Sequence, residues 1–405
     1  MKITTITTRF WPYPAGLEVS LSKLCHELIA SGHDITVLTT NSSGESSIPQ
    51  IRLANPPMRK GTGSYPVGWQ ILRNNLRILR KRAYLRIGPF HIAGDLNFPP
   101  ETEVFHMHSL TDPFLYLPLL LGKQTKPYVL TIHDVVPTVA SSIEAIFWLP
   151  YGKIVLRQLL KKFSAVIIIS PSHTEFLRKI GADRIRVFMV PLCFDKSIIE
   201  KVNGEDINSV RCAHGIGTHD FLIVSIGRLI PIKRYDMLMK AISVVLKRSI
   251  RDQIKCLIIG SDEGCLRDLE KTKETLALQK NVRFLGALNH VKTLQILKAA
   301  DLFVMPSLAE SFGLSTVEAM ALSVPVLVSD GVAVSYLITP NSNGLIFKKN
   351  DINSLVSSLS FSTRERERLR DIGYAGRQTA YAFCSPEAVA KKHITIYRSV
   401  LNQQE

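Results

Sequence analysis

The chain of 405 residues carries 50 Lys and Arg against 34 Asp and Glu, a formal charge of +16, and 46% hydrophobic residues. At about 150 residues per domain, that length and hydrophobic share fit two large folded domains and exclude a disordered chain or a small disulfide scaffold. Six scattered cysteines (Cys25, Cys193, Cys212, Cys256, Cys265 and Cys384) form no Cys-x-x-Cys pair and no zinc pattern, so they read as reduced thiols of a cytoplasmic protein.

Residues 1–10 form a short β-like run without the apolar stretch of a secretory leader. Apolar runs bounded by turn residues occur at 3–7, 35–39, 104–107, 128–132, 165–169 and 187–190, most of them followed by stretches of helical period. Continuous Val, Ile and Leu strands alternating with helices belong to a parallel sheet covered on both faces, so the first half is predicted to be a doubly wound α/β domain. After a polar, glycine-containing stretch at 196–220 the rhythm restarts, with strands at 221–226, 255–259, 282–285, 302–305 and 324–328 and helices near 235–248, 266–278, 293–300 and 315–322. Two such domains joined by a linker are expected to leave a cleft facing the carboxyl ends of both sheets. Ser385 as N-cap and Pro386 at the first helical position open a last helix that runs to about residue 401. The longest apolar runs, near 114–121 and 324–328, are too short to span a bilayer, so any membrane contact is expected to be peripheral.

Between Arg59 and Arg86 there are eight Lys or Arg and no carboxylate, which suggests an anionic partner. Within it, residues 67–86 place Trp69, Leu72, Leu76, Leu79 and Ala83 on one helical stripe, with Arg73, Arg77, Arg80 and Lys81 nearby. Such a helix either lies on anionic lipid or turns its apolar stripe into a domain core, and the stripe alone does not separate the two.

Three constellations can carry chemistry. The first runs from Glu310 through Phe312, Gly313, Leu314 and Ser315 to Glu318, after a buried strand and into a helix. Gly313 allows a tight turn, and the helix start offers unpaired N–H groups and a positive dipole end to an anion, with a carboxylate on either side. The second is Gly227, Arg228 and, five residues after Arg228, Lys233, at the end of the first strand of the second domain. A guanidinium and an ammonium at a carboxyl-end loop suit a diphosphate, although two solvated surface cations would give the same pattern. The third lies in the first domain, where Gly16 follows strand one and precedes a helix, and His133-Asp134 follows the strand at 128–132. No Gly-x-Gly-x-x-Gly fingerprint accompanies Gly16, which argues against a dinucleotide-dependent dehydrogenase. His106 and His108 share a strand face, but no third ligand has suitable spacing, so they read as core histidines rather than a metal pair.

Taken together, Gly227-Arg228-Leu229 with Lys233, Glu310-x-Phe312-Gly313-Leu314 with Glu318, Glu318-Ala-Met-Ala321 and Pro325-Val-Leu-Val-Ser329 closely resemble the retaining nucleotide-sugar glycosyltransferases of the GT-B fold, family four. The first half is similar in Pro12-x-x-x-Gly16-x-Glu18, Gly32-His33-Asp34, Thr131-Ile-His133-Asp134 and Ile169-Ser170-Pro171. The resemblance implies two Rossmann-like doubly wound domains facing across a cleft: 1–195 binding the acceptor, 196–384 binding the nucleotide sugar, and a last helix, 385–405, packing back on the first domain. It further implies that Arg228 and Lys233 hold the diphosphate and stabilise its departing charge. Backbone N–H groups of Phe312, Gly313, Leu314 and Ser315 would bind the sugar and distal phosphate, Glu310 sugar hydroxyls and Glu318 ribose hydroxyls. Gly16 would approach the phosphates and His133 the transferred sugar.

The implied reaction moves a hexose-type sugar from a UDP- or GDP-linked donor to a glycan or lipid-linked acceptor by front-face displacement. It uses neither a metal nor a cofactor, because cationic side chains and a helix terminus replace the divalent ion. Location is expected to be cytoplasmic, with residues 67–86 as a route to the cytoplasmic membrane face. Some positions depart from the family pattern: Pro191-Leu-Cys193-Phe-Asp195 before the linker, Ser323 where a glycine is usual, and Gly331-Val-Ala-Val-Ser-Tyr336 without a second glycine and an acidic residue. These departures motivate an alternative reading as a non-catalytic GT-B partner subunit. The charge motivates a second alternative, nucleic-acid binding, but no recognition-helix, RNP or zinc-finger pattern accompanies it.

Overall fold

The computed structural model describes residues 1–7, 16–39, 52–54, 85–87, 90–92, 100–108, 126–133, 156–182, 185–248 and 253–403. They fall into two compact units, Met1–Val190 with Ala390–Glu405, and Pro191–Val389. Asp134 and residues 67–84 of the basic segment lie outside the described residues.

The first unit is built on a seven-stranded sheet in the order β3-β2-β1-β6-β7-β8-β9, in which every neighbouring pair is parallel. Its strands are β1 (Lys2–Thr7), β2 (Asp34–Thr39), β3 (Arg52–Ala54), β6 (Val104–His108), β7 (Tyr128–Ile132), β8 (Ala165–Ile168) and β9 (Val187–Met189). A separate antiparallel pair joins β4 (Leu85–Ile87) to β5 (Phe90–Ile92). Every residue of β6, β7 and β8 is buried, as expected of central parallel strands covered on both faces. Helix α1 (Gly16–Ala30) connects β1 to β2, and α2 (Pro171–Lys179) follows β8, with proline pre-set at its first position.

The second unit carries a six-stranded sheet in the order β12-β11-β10-β13-β14-β15, again parallel throughout. The strands are β10 (Phe221–Ile226), β11 (Ile254–Ile259), β12 (Val282–Phe284), β13 (Leu302–Met305), β14 (Val326–Ser329) and β15 (Leu345–Phe347). Counted within each unit, and setting the β4–β5 pair aside, both sheets begin 3-2-1-4-5-6, so each chain path reverses beside its first strand. Both units are therefore Rossmann-like, and the ligand position of such sheets lies at the carboxyl ends of the strands flanking that reversal. In the second unit these are β10 and β13.

The polar, glycine-containing stretch at 196–220, read as the linker, holds two short helices, α3 (Lys196–Asn203) and α4 (Ile207–Ala213). Asp195 caps the first by accepting from the Ile198 N–H at 3.3 Å, and Asp206 caps the second by accepting from Asn208 and Ser209 at 3.0 and 3.2 Å. Helices α5 (Tyr235–Arg248), α6 (Leu266–Thr275), α7 (His290–Lys298) and α8 (Leu314–Ala321) alternate with the strands, followed by α9 (Ile352–Arg364), α10 (Arg366–Cys384) and α11 (Pro386–Leu401). Ser385 does cap α11: its Oγ accepts from the Ala388 N–H at 3.2 Å. The core of the second unit packs Ile223, Val304 and Leu327 of the sheet, all fully buried, against Leu238 and Ile242 of α5 and Leu355 and Leu359 of α9. Among the described residues no helix is long and apolar enough to cross a membrane.

Candidate active site

At the carboxyl ends of β10 and β11 two backbone segments meet. A Cβ on Gly260 would lie 1.9 Å from the Gly227 carbonyl oxygen, and one on Gly227 (φ +151°) would lie 2.9 Å from Lys233 Nζ. Only hydrogens fit there, and the glycine pair lets the Lys233 side chain fold back over the strand end. Tyr235, at the start of α5, donates its hydroxyl to the Gly227 carbonyl at 2.9 Å. Burial, and next the Glu310 carboxylate, push that phenol far above its usual range, so it serves as a fixed neutral donor.

Lys233 closes a single 3-10 turn, Pro231–Lys233, and its ammonium pairs with Glu310 Oε1. Both side chains are mostly buried, at 13% and 18% exposure, so Lys233 is not a solvated surface cation. Ser307 Oγ donates to the same carboxylate oxygen at 3.0 Å. The main chain holds Glu310 from both sides: its N–H donates to the Gly331 carbonyl, its carbonyl accepts from Ala333, and the Phe312 carbonyl accepts from Val334 at 2.8 Å. The segment that follows β13 is thereby strapped to the one that follows β14.

Gly313 then turns the chain into α8 with φ +95°, and a Cβ there would meet Val332 Cγ1 at 2.8 Å. Both the left-handed backbone and the close approach call for glycine. As N-cap, Gly313 provides no side-chain cap, and the first turn of α8 contains no acidic residue. The helix start, with Leu314 and Ser315 half-buried, therefore keeps its positive dipole end uncompensated by any carboxylate of that turn.

Glu318 lies at the fifth position of α8, past the turn where the dipole favours a carboxylate, and is only 7% exposed. Its Oε1 meets His290 Nε2 at 2.7 Å. His290 opens α7, whose N-cap Asn289 accepts from the Lys292 N–H at 2.9 Å. Sequence reasoning missed His290, since nothing in the local pattern marks it, although Asn289 before an apolar period was a legible cap. Also unforeseen was the partner of Arg228: its Nη1 donates to both oxygens of Glu263 at 3.1 and 3.0 Å. Glu263 sits after β11, beside Asp262, which accepts from the N–H groups of Gly264, Cys265 and Leu266 where the chain enters α6. Those backbone bonds, that from Leu266 foremost, hold the Asp262 carboxyl below its usual range. The structure thus joins Lys233 to Glu310 and gives Arg228 and Glu318 partners of their own.

The remaining predicted residues are in the first unit. Gly16 is the first residue of α1. His133 follows β7, is 4% exposed, and its Nε2 lies 2.9 Å from His108 Nδ1 with the rings stacked. Its Nδ1 is buried without a hydrogen-bond partner among the described residues. Burial, reinforced by His173 and His393, pushes the imidazole down to about 3, so it is neutral at physiological pH. His106 meets Thr131 Oγ1 and the Tyr397 hydroxyl, each at 2.7 Å, the latter on α11. Among the described residues no three His, Cys, Asp or Glu are grouped to hold a metal ion.

Two parallel Rossmann-like sheets with glycine-shaped loops at the strand ends define a protein of the GT-B class. The defining patterns of two families divide the chain between them: Glycosyltransferase Family 4 over residues 14–197 and Glycosyl transferases group 1 over residues 206–379. The chain belongs to the group 1 glycosyltransferases of the GT-B fold. It is 30% identical over 197 residues to a D-inositol 3-phosphate glycosyltransferase of Nocardia farcinica, a match spanning 48% of this chain and 43% of that relative. A GDP-mannose-dependent monoacylated alpha-(1-6)-phosphatidylinositol monomannoside mannosyltransferase of Corynebacterium glutamicum is 30% identical over 48% of this chain and 51% of its own length. The chain thus spans about half the length of these curated relatives. Among solved structures, sucrose-phosphate synthase of Thermosynechococcus elongatus superposes with a TM-score of 0.74 at 18% identity over 99% of both chains. HepE of Anabaena, in complex with UDP and glucose, gives 0.70 at 16% identity over 98% of this chain and all of that one.

Proposed function

We propose that this protein is a retaining glycosyltransferase that moves a hexose-type sugar from a nucleoside diphosphate sugar to a glycan or lipid-linked acceptor. The donor is UDP- or GDP-linked, a reading supported by the UDP bound to HepE and by the GDP-mannose dependence of the corynebacterial relative. Residues 196–384 bind the donor and 1–195 the acceptor, and the helix of 385–405 returns to the acceptor-binding half.

The observation that carries this reading is the grouping of Lys233, Glu310 and Ser307 beside an uncapped helix start at the reversal point of the second sheet. A diphosphate entering there meets the Lys233 ammonium, the N–H groups of residues 312–315 and, once it leaves Glu263, the Arg228 guanidinium. Charge developing on the departing diphosphate is stabilised by those groups, of which the backbone N–H groups of the helix start stand in place before the ligand arrives. Glu310, released from Lys233, accepts from sugar hydroxyls, and Glu318 accepts from the ribose. In the first half, Gly16 admits the phosphates close to the backbone, and the unpartnered Nδ1 of His133 bonds a sugar hydroxyl. The anomeric carbon–oxygen bond to the diphosphate breaks as the acceptor oxygen bonds on the same face, and the acceptor's proton passes to the leaving phosphate. The protein works in the cytoplasm, with residues 67–86 as its contact with an anionic membrane face.

Thermal stabilisation by UDP, GDP and their sugar conjugates, measured on the wild type and on Glu318→Ala, tests the donor site. Selective stabilisation by one nucleotide family, weakened in the variant, is the expected result. A folded wild-type chain that none of them stabilises would overturn the reading in favour of a non-catalytic subunit.

A further inference from the structure

Glu318 is a carboxylate enclosed on a helix whose residues Thr316 to Ala321 are all buried. Such a group persists only where hydrogen bonds replace its water, and the His290 contact at 2.7 Å is in the short range of bonds that involve an ionised partner. The imidazole comes from a different element, and its position is fixed locally. Asn289 caps α7 through its side chain, while its carbonyl accepts both the Thr293 N–H at 3.0 Å and the Thr293 hydroxyl at 2.9 Å. The His290 ring is one-third exposed, whereas Glu318 is nearly enclosed. An ionised carboxylate has about four lone-pair directions. One donor on Oε1 fixes the carboxylate plane and leaves the acceptor capacity of Oε2 for two vicinal hydroxyl donors.

We propose that His290 is a positioning residue that orients the Glu318 carboxylate for the ribose of a nucleoside diphosphate and so makes the site select ribonucleotides over 2′-deoxyribonucleotides. The inference rests on the reading of Glu318 as the ribose acceptor. A ligand lacking the 2′-hydroxyl leaves one carboxylate direction unfilled, and the loss is large only while the carboxylate is held in one plane. Without the imidazole the carboxylate rotates, the bidentate match is lost, and both ligands bind alike.

The test is calorimetric titration of the full chain with UDP, GDP and their 2′-deoxy counterparts, for wild type, Glu318→Gln, His290→Ala and His290→Gln. The wild type is expected to prefer the ribonucleotide by about tenfold, the worth of one hydrogen bond to a charged group. His290→Ala should bring that ratio to about twofold or less, with the deoxy affinity itself nearly unchanged, and His290→Gln, whose amide can still donate, should recover most of it. In a transfer assay the same His290→Ala change raises the donor KM and leaves kcat alone. If Glu318→Gln collapses the ratio and His290→Ala leaves it intact, the positioning role is overturned and the ribose reading survives. If Glu318→Gln also leaves it intact, or no nucleotide binds, the ribose reading fails and takes the inference with it. Should His290→Ala lose its cooperative melt, His290→Asn, too short to reach Oε1, takes its place with the same expected ratio.

Discussion

The two units handle titratable groups in opposite ways. In the second, Lys233 and Glu310 meet as an ion pair at low exposure, each facing the opposite charge. In the first, His106, His108 and His133 are all pushed below the usual imidazole range, by burial first and by neighbouring histidines second, and stay neutral. The paired ions suit a site that must exchange an internal carboxylate for an anionic ligand, since the ligand replaces one negative partner with another. The neutral imidazoles suit contact with uncharged hydroxyls, where a full charge would carry a desolvation cost without a counter-ion.

Breaking the ion pair has the largest expected effect. Lys233→Ala should lower transfer by at least about a hundredfold, as loss of one fixed electrostatic stabiliser does. It also leaves Glu310 without its counter-charge, at about 1–3 kcal/mol after discounting a fully buried pair for residual exposure. Chemical denaturation of Lys233→Ala, Glu310→Ala and the double variant checks this, because the double variant should be more stable than the sum of the single losses predicts.

Acidification should separate the two units next. The His133 imidazole sits at about 3 in the fold, against 6.5 as its ordinary value. The unfolded chain therefore binds protons that the folded one refuses, and stability falls as pH drops from about 6.5 toward 3. At pH 5 one such histidine costs about 2 kcal/mol. Opening free energies from hydrogen exchange, corrected for the fall of the intrinsic exchange rate with pH, should drop in peptides covering β7 between pH 7.5 and 5.5 while those of β13 stay nearly constant. An equal drop in both would show that the histidine cluster does not set the acid sensitivity.

A smaller effect separates the exposed cation from the buried one. Arg228 is 62% exposed and Glu263 41%, so their pairing is screened by water. Glu263→Gln should free the guanidinium and improve donor KM by only about twofold to threefold, read in the transfer assay. A larger gain would mean that Glu263, rather than Glu310, is the main competitor of the diphosphate.

What the sequence showed of this molecule follows the range of its interactions. Buried parallel strands are local runs of Val, Ile and Leu, so β10 and β13 were legible, and α5 matches its expected limits, Tyr235–Arg248. Among the three-residue edge strands β9 and β12 were expected, whereas β3, Arg-Leu-Ala, has no apolar run and β15, Leu-Ile-Phe, has one too short to stand out beside a glycine and two lysines. Helices α3 and α4 were hidden by polar composition, although Asp195 and Asp206 were available as cap signals. The charged residues of the candidate site were legible as motifs, but their partners were not. Glu310 lies 77 positions from Lys233, Glu263 35 from Arg228 and His290 28 from Glu318, distances over which only the fold makes neighbours.

A substitution at Ser323 changes the second unit without touching a charge. Ser323, standing where the family usually has glycine, has φ +62°, so the position demands left-handed backbone even though this chain fills it with a side chain. It follows Leu322, the C-cap of α8, and its N–H donates to the Met320 carbonyl at 2.9 Å. An L-residue held left-handed costs about 1–2 kcal/mol, whereas a glycine gives back about 0.4–1 kcal/mol through its freer unfolded chain. Ser323→Gly should therefore stabilise the second unit by about 0–1.6 kcal/mol. Because no titratable group is touched, the gain should be the same at pH 7.5 and 5.5 by chemical denaturation. A gain that changed with pH would mean that the start of β14 is coupled to the charged loops.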